Sequence, residues 1–160
     1  MNKYVGLVWA AVILSFIGLT NSFYLVQSHV SGEPLNCSIL DGCNVVAASP
    51  YSIVLGVPLA SWGVLFYFGI FVVAATMLMV RVRALSHFFV LITSIGFLAS
   101  LYFTYLQIYV IKAVCMYCML SAILATILLL IALLIIRMPK EKPGYTDLIP
   151  PMVRNGGRQQ

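Results

Sequence analysis

Apolar residues run along this chain in blocks, not in alternation. Four stretches, about residues 4–27, 59–80, 88–111 and 115–136, contain no Asp, Glu, Lys or Arg. Alternation would mark half-buried strands, and an apolar stripe of period 3.6 would mark helices with one wet face; stretches apolar on every side mark helices with no wet face. Each has the roughly 20 residues that a helix needs to cross a hydrocarbon core of about 30 Å. A chain of 160 residues is too short to surround four such helices with polar layers. The pattern therefore predicts an all-α integral membrane protein, a four-helix transmembrane bundle over residues 1–137 whose solvent is the lipid bilayer.

Composition agrees with that reading: 62% of residues are hydrophobic and 8% charged, against about 25% charged in an ordinary soluble domain. The net charge of +5 forms no stripe that a phosphate backbone could follow, which excludes nucleic acid as a partner and leaves the charge to set topology. Lys3, Arg81, Arg83, Arg137, Lys140 and Lys142 mark the cytoplasmic side, whereas residues 28–58 carry Glu33 and Asp41 and no Lys or Arg. That loop is expected outside, with both termini in the cytoplasm and Lys112 as the one exception. The first stretch is too long for a signal-peptide core of about 7–15 residues and has no convincing cleavage step, so it is expected to be a retained anchor. Residues 138–160, rich in Pro, Gly and charge, are expected to be a disordered cytoplasmic tail. Within the outer loop, Asp41-Gly42 signals a turn, and the uncharged run from Cys43 to Ala48 before Ser49-Pro50 predicts a short interfacial helix.

This topology puts all 4 cysteines on the outer side, Cys37 and Cys43 in the loop and Cys115 and Cys118 at the head of the fourth span. Cysteines serving as small hydrophobes would be expected within the spans; their collection at one face points to chemistry. Cys115-Met116-Tyr117-Cys118 is a C-x-x-C opening a helix, where positions three apart share a face about 5–6 Å apart, a separation that a disulfide accepts. Free N–H groups at the helix start favour thiolate over thiol, and Lys112 would add to the effect. A zinc site is the weaker reading, because the five residues between Cys37 and Cys43 exceed the usual ligand spacing, so no metal is expected. Two inert disulfides on a membrane scaffold are the other alternative. A redox relay suits the arrangement better, since disulfide exchange needs pairs that can approach one another: a loop pair meets a soluble protein and a helix pair faces the bundle. The electron acceptor that fits a membrane is a quinone.

These residues resemble the vitamin K epoxide reductase family, and within it the prokaryotic disulfide-forming branch. The likeness covers about residues 5–137. It rests on Cys37 and Cys43, Ser49 six residues after the second of them, the run Gly56-Val57-Pro58-Leu59-Ala60 with Gly63 behind it, and Cys115-x-x-Cys118 at the head of the last span. The resemblance implies a thiol-disulfide oxidoreductase built as a four-helix bundle around a quinone of ubiquinone or menaquinone type. It implies that Cys37 exchanges with the partner, Cys43 passes electrons to Cys115, Cys118 faces the quinone ring and Ser49 helps to position the centre. Cys118, facing the ring, is also the sulfur expected to carry the charge that bound quinone would sense. Gln107, Asn21 and Tyr105 are polar candidates for a quinone carbonyl. Leu59 and Ala122 stand where vertebrate members have an asparagine and a tyrosine associated with vitamin K binding, which places disulfide formation ahead of vitamin K epoxide reduction. The family often carries a fused thioredoxin-like domain; here only about twenty residues follow the last span, so the expected partner is a separate thioredoxin-fold protein outside the membrane.

Overall fold

The computed structural model describes residues 3–32, 42–80 and 82–138. Helix α1 spans Lys3–Ser31, and a short helix α2 spans Gly42–Ala47. A 3₁₀ turn at Pro50–Ser52 leads into a two-stranded antiparallel hairpin, β1 Ile53–Val54 and β2 Val57–Pro58, paired Ile53 to Pro58 and Val54 to Val57. Helices α3 (Leu59–Met79) and α4 (Arg83–Tyr105) follow; α4 continues through a π-helical turn at Leu106–Ile111, and α5 spans Met116–Arg137. Four helical segments are long and apolar enough to cross a membrane, the third being Arg83–Ile111. Two expected starts shift: the third helix begins at Arg83, not near residue 88, and the fourth at Met116, with Cys115 in extended conformation just before it. Arg83 can join the helix because a long basic side chain at a membrane helix end reaches back to the interface. The expected interfacial helix is present as α2. Cys37, Glu33, Asp41, Arg81 and nearly all of the tail lie outside the described residues.

The bundle turns many of its large apolar side chains outward and buries several polar ones, as a water-soluble bundle does not. Ser15, Asn21, Ser22, Ser86, Thr93 and Gln107 are buried, while Phe16, Phe23, Leu65, Phe68, Leu91, Ile95 and Leu98 point outward. Lipid tails are as apolar as leucine, so segregation of greasy side chains does not drive these helices together; small residues that allow close approach and interhelical hydrogen bonds do. Gly18 of α1 faces the ring of Tyr67, Gly63 of α3 faces Ser22, and Gly96 of α4 faces the ring of Phe66. The Tyr67 hydroxyl lies 2.9 Å from the Ser121 carbonyl, to which it donates, and 2.8 Å from the Ser121 hydroxyl, joining α3 to α5. Tight apolar packing fills one half of the bundle, around Val8, Ala11, Ile70, Ala74, Met77, Phe89, Leu128 and Ala132. The other half is hollow.

The hairpin closes part of that hollow half. Its turn residues, Leu55 (φ 55°) and Gly56 (φ 78°), are both left-handed, the conformation that twists a two-residue hairpin loop correctly. Gly56 adopts it freely; Leu55 does so at a cost of about 1–2 kcal/mol. Trp62 of α3 offsets part of this by donating its indole N–H to the Val54 carbonyl at 3.3 Å.

Candidate active site

At the hollow end, α2 lies against the segment that leads into α5, and a glycine permits the approach. A Cβ on Gly42 would lie 2.6 Å from the Val114 carbonyl oxygen and 2.7 Å from its nitrogen, closer than backbone atoms tolerate. The next residue, Cys43, is fully buried and packs with buried Cys115 in one cluster that also holds Leu25, Val46, Met116, Tyr117 and Cys118. Cys43 is disulfide-bonded, whereas Cys115 and Cys118 carry free thiols. A disulfide sulfur of the loop and a thiol of the helix pair thus meet in one dry pocket.

The backbone before Cys115 is held by a single residue, Gln107, through both its main-chain carbonyl and its side chain. Lys112 is left-handed (φ 55°) and its N–H returns to the Gln107 carbonyl; the Ala113 N–H reaches that same carbonyl at 3.1 Å. Cys115 then donates its own N–H to Gln107 Oε1 at 2.9 Å. Gln107 therefore takes up N–H groups on both sides of the turn, and the π-helical turn, in which it lies, aims its side chain inward. Lys112 contributes backbone geometry here, and its charge is not among the groups that shift the Cys115 thiol.

That thiol is shifted strongly. The Cys118 thiol donates to Cys115 Sγ and, with the N–H groups of Cys118 and Tyr117, lowers its pKa to about 7 against the opposing effect of burial. In the reduced pair, charge is thus drawn toward Cys115. The physical reason is position: Cys115 precedes the helix and faces its free N–H groups, while Cys118, one turn in, serves as its donor.

Below the two cysteine positions opens a cavity of about 840 Å³ between α1, α3, α4 and α5, roofed by α2 and the hairpin. It is lined mainly by apolar atoms, and Cys43, Ser49, Cys115, Cys118, Asn21 and Gln107 all reach it. A pocket of this size and character suits a small ring compound with few polar groups. Ser49 donates its hydroxyl to the Val46 carbonyl at 2.7 Å, so it ends α2 and lines the cavity at once. Asn21 donates to the Tyr117 carbonyl at 3.2 Å, tying α1 to the C-x-x-C turn. Tyr105 is not brought in: it is 55% exposed on the outer face of α4 and its ring pairs with Tyr109. Sequence reasoning placed it by polarity alone, and the phase of α4 turns it toward lipid. It also passed over Tyr67 and Ser121, both on the cavity wall. The signal was available, since Ser121 lies three residues after Cys118 and so one turn further along the same face.

The family model for vitamin K epoxide reductases matches residues 9–133. The chain belongs to the vitamin K epoxide reductase family. The match takes in most of the first and last spanning helices and all of the two between them, with the capping segment and the C-x-x-C turn, and the family is one of membrane thiol oxidoreductases that reduce quinones. No individually characterised protein matches the chain significantly. Leu59 lines the cavity and Ala122 does not. The chain is accordingly a multi-pass membrane protein.

Proposed function

We propose that this vitamin K epoxide reductase family member is a thiol:quinone oxidoreductase that reoxidises a separate thioredoxin-fold protein outside the membrane and so supports disulfide formation. The observation that carries this reading is the contact of disulfide-bonded Cys43 with the low-pKa thiol Cys115 at the roof of an apolar cavity. In the proposed sequence, a partner thiolate attacks Cys37 and releases Cys43; the partner's second thiol resolves the mixed disulfide and leaves oxidised. Cys43 thiolate then attacks the Cys115–Cys118 disulfide at Cys115, and Cys37 resolves it, restoring the loop disulfide and leaving Cys115 and Cys118 as thiols. Those thiols close to a disulfide while two electrons and two protons pass to the quinone, giving the hydroquinone.

The residues present suit such a substrate: the cavity walls are apolar, and the cysteines stand at one end of it. Quinone supplies the two-electron sink, and this chain's residues bind it, exclude water and hold the Cys115 charge. Ser49, between α2 and the cavity, is proposed to keep the roof in place. The Lys and Arg distribution supports cytoplasmic termini, with the cysteines on the opposite side. The test is a reconstituted assay with a reduced thioredoxin-fold protein and ubiquinone or menaquinone, following ring absorbance. Ring reduction that depends on the partner and on all four cysteines is the expected result. A Cys43→Ser variant should accumulate a mixed disulfide between Cys37 and the partner, and Cys37→Ser should not. Absence of ring reduction with all four thiols intact would overturn the reaction in favour of a scaffold with structural disulfides.

A further inference from the structure

Gln107 is almost fully buried (4% exposed), in the hollow half of the bundle. Its two polar ends are used unequally. Oε1 accepts the Cys115 N–H, and the amide NH₂ makes no hydrogen bond to any described residue. No side-chain nitrogen or oxygen among the described residues is sealed in without a partner, and Gln107 lines the cavity, so this NH₂ opens on the cavity itself. A buried amide donor left without a partner is costly, by an amount comparable to a lost hydrogen bond, unless something that enters the cavity accepts from it.

The orientation is not free to reverse. Turning the amide over would set NH₂ against the Cys115 N–H, donor against donor. The side chain is therefore fixed as a hydrogen-bond donor toward the cavity and as an acceptor toward the cysteine. A quinone oxygen is a carbonyl, a good acceptor with nothing to donate. A hydroquinone oxygen is a phenol, foremost a donor and a poorer acceptor, and the Gln107 oxygen that would receive its proton is already engaged.

Resting on the quinone chemistry of the preceding section, we propose that Gln107 is a specificity-determining residue that favours the oxidised ring over its reduced product. Its donation to a ring carbonyl draws the acceptor to the cavity beside Cys115, and reduction of that carbonyl to a hydroxyl weakens the contact. Product release follows from the change in ring chemistry, with no rearrangement of the protein. Because the same amide holds the Cys115 backbone, ring binding and the position of the reactive sulfur are linked through one side chain.

The experiment is a binding titration of the purified full chain by quenching of tryptophan fluorescence, with a short-chain benzoquinone and its hydroquinone as separate probes. Wild type should bind the quinone about tenfold more tightly than the hydroquinone, the effect expected of one hydrogen bond in a dry site. Gln107→Glu keeps an acceptor for the Cys115 N–H and, when ionised, presents no donor; it should lose that discrimination while Cys115 alkylation stays measurable. Gln107→Met, of similar length, should lose it as well. Equal affinity of wild type for both ring forms overturns the proposal whether or not either variant folds. So does a folded Gln107→Met chain, which has no donor in any protonation state, with discrimination unchanged. Lack of partner-dependent quinone reduction by wild type would instead overturn the reaction itself, so the two failures are read from different measurements.

Discussion

Cys115 and Cys118 lie one helical turn apart, and their surroundings give them opposite tasks. Cys115 stands before the helix, faces its N–H groups and receives the Cys118 thiol, so charge settles there with a pKa of about 7. Since the thiolate is the nucleophile, alkylation of reduced Cys115 should increase as pH rises through about 7. Cys118→Ala removes the largest of the lowering causes and should move that midpoint up, toward the ordinary value near 8.5; Cys118→Ser, which keeps a hydroxyl donor, should move it less. Alkylation rates followed by peptide mass spectrometry check both, and an unmoved midpoint in Cys118→Ala would assign the effect to the backbone N–H groups alone. Tyr67 is the corresponding structural residue. Its hydroxyl meets both the carbonyl and the hydroxyl of Ser121, so Tyr67→Phe should cost about 1–3 kcal/mol, seen as a lower melting temperature in detergent.

Among the elements, α2 is the least self-sufficient. Six residues cannot form a stable helix alone, and this one persists because it docks. Gly42 allows that docking by meeting the Val114 backbone where no Cβ fits. Gly42→Ala should therefore lift α2 and draw Cys43 away from Cys115. The expected outcome is a loss of at least about tenfold in partner-dependent turnover, equivalent to about 1.4 kcal/mol at the transition state. Quinone reduction driven by a small dithiol acting directly on the Cys115–Cys118 disulfide should fall much less. Equal loss by both routes would show that the substitution damages the helix pair itself, not its contact with the loop. The hairpin offers a stability check at the same scale: Leu55→Gly removes a left-handed side-chain penalty at an exposed turn and should raise stability by up to about 1 kcal/mol.

Over the whole molecule, packing is uneven by design of the solvent. One half of the bundle is filled by Val8, Ile70, Met77, Phe89 and Leu128; the other holds the cavity and every described cysteine. The charges follow the same axis, with Lys3, Arg83 and Arg137 at helix ends of the filled half. If that half is cytoplasmic, as the positive-inside rule requires, a membrane-impermeant maleimide applied to intact, reduced cells should reach a cysteine of the capped end. Labelling that appears only after lysis would invert the orientation.

What the sequence determined by itself was the set of properties that depend on local composition. Uncharged runs of bilayer length forced four helices, the Asp41-Gly42 turn and the run after it announced α2, and C-x-x-C at a helix head marked the reactive pair. Each of these follows from a residue and its near neighbours. Tertiary structure decided which polar side chains the bundle turns inward, because helices apolar on all sides carry no stripe to show their rotation: Tyr105 faces out, and Tyr67 and Ser121 face in. It also decided which sulfur bears the charge, since that depends on whether a thiol lies before or within the first turn and on what donates to it. The commitment of Gln107 to the Cys115 backbone belongs to the same class. It arises where a π-helical turn and a left-handed lysine bring together residues eight apart, a placement fixed by chain geometry in three dimensions and absent from any local pattern.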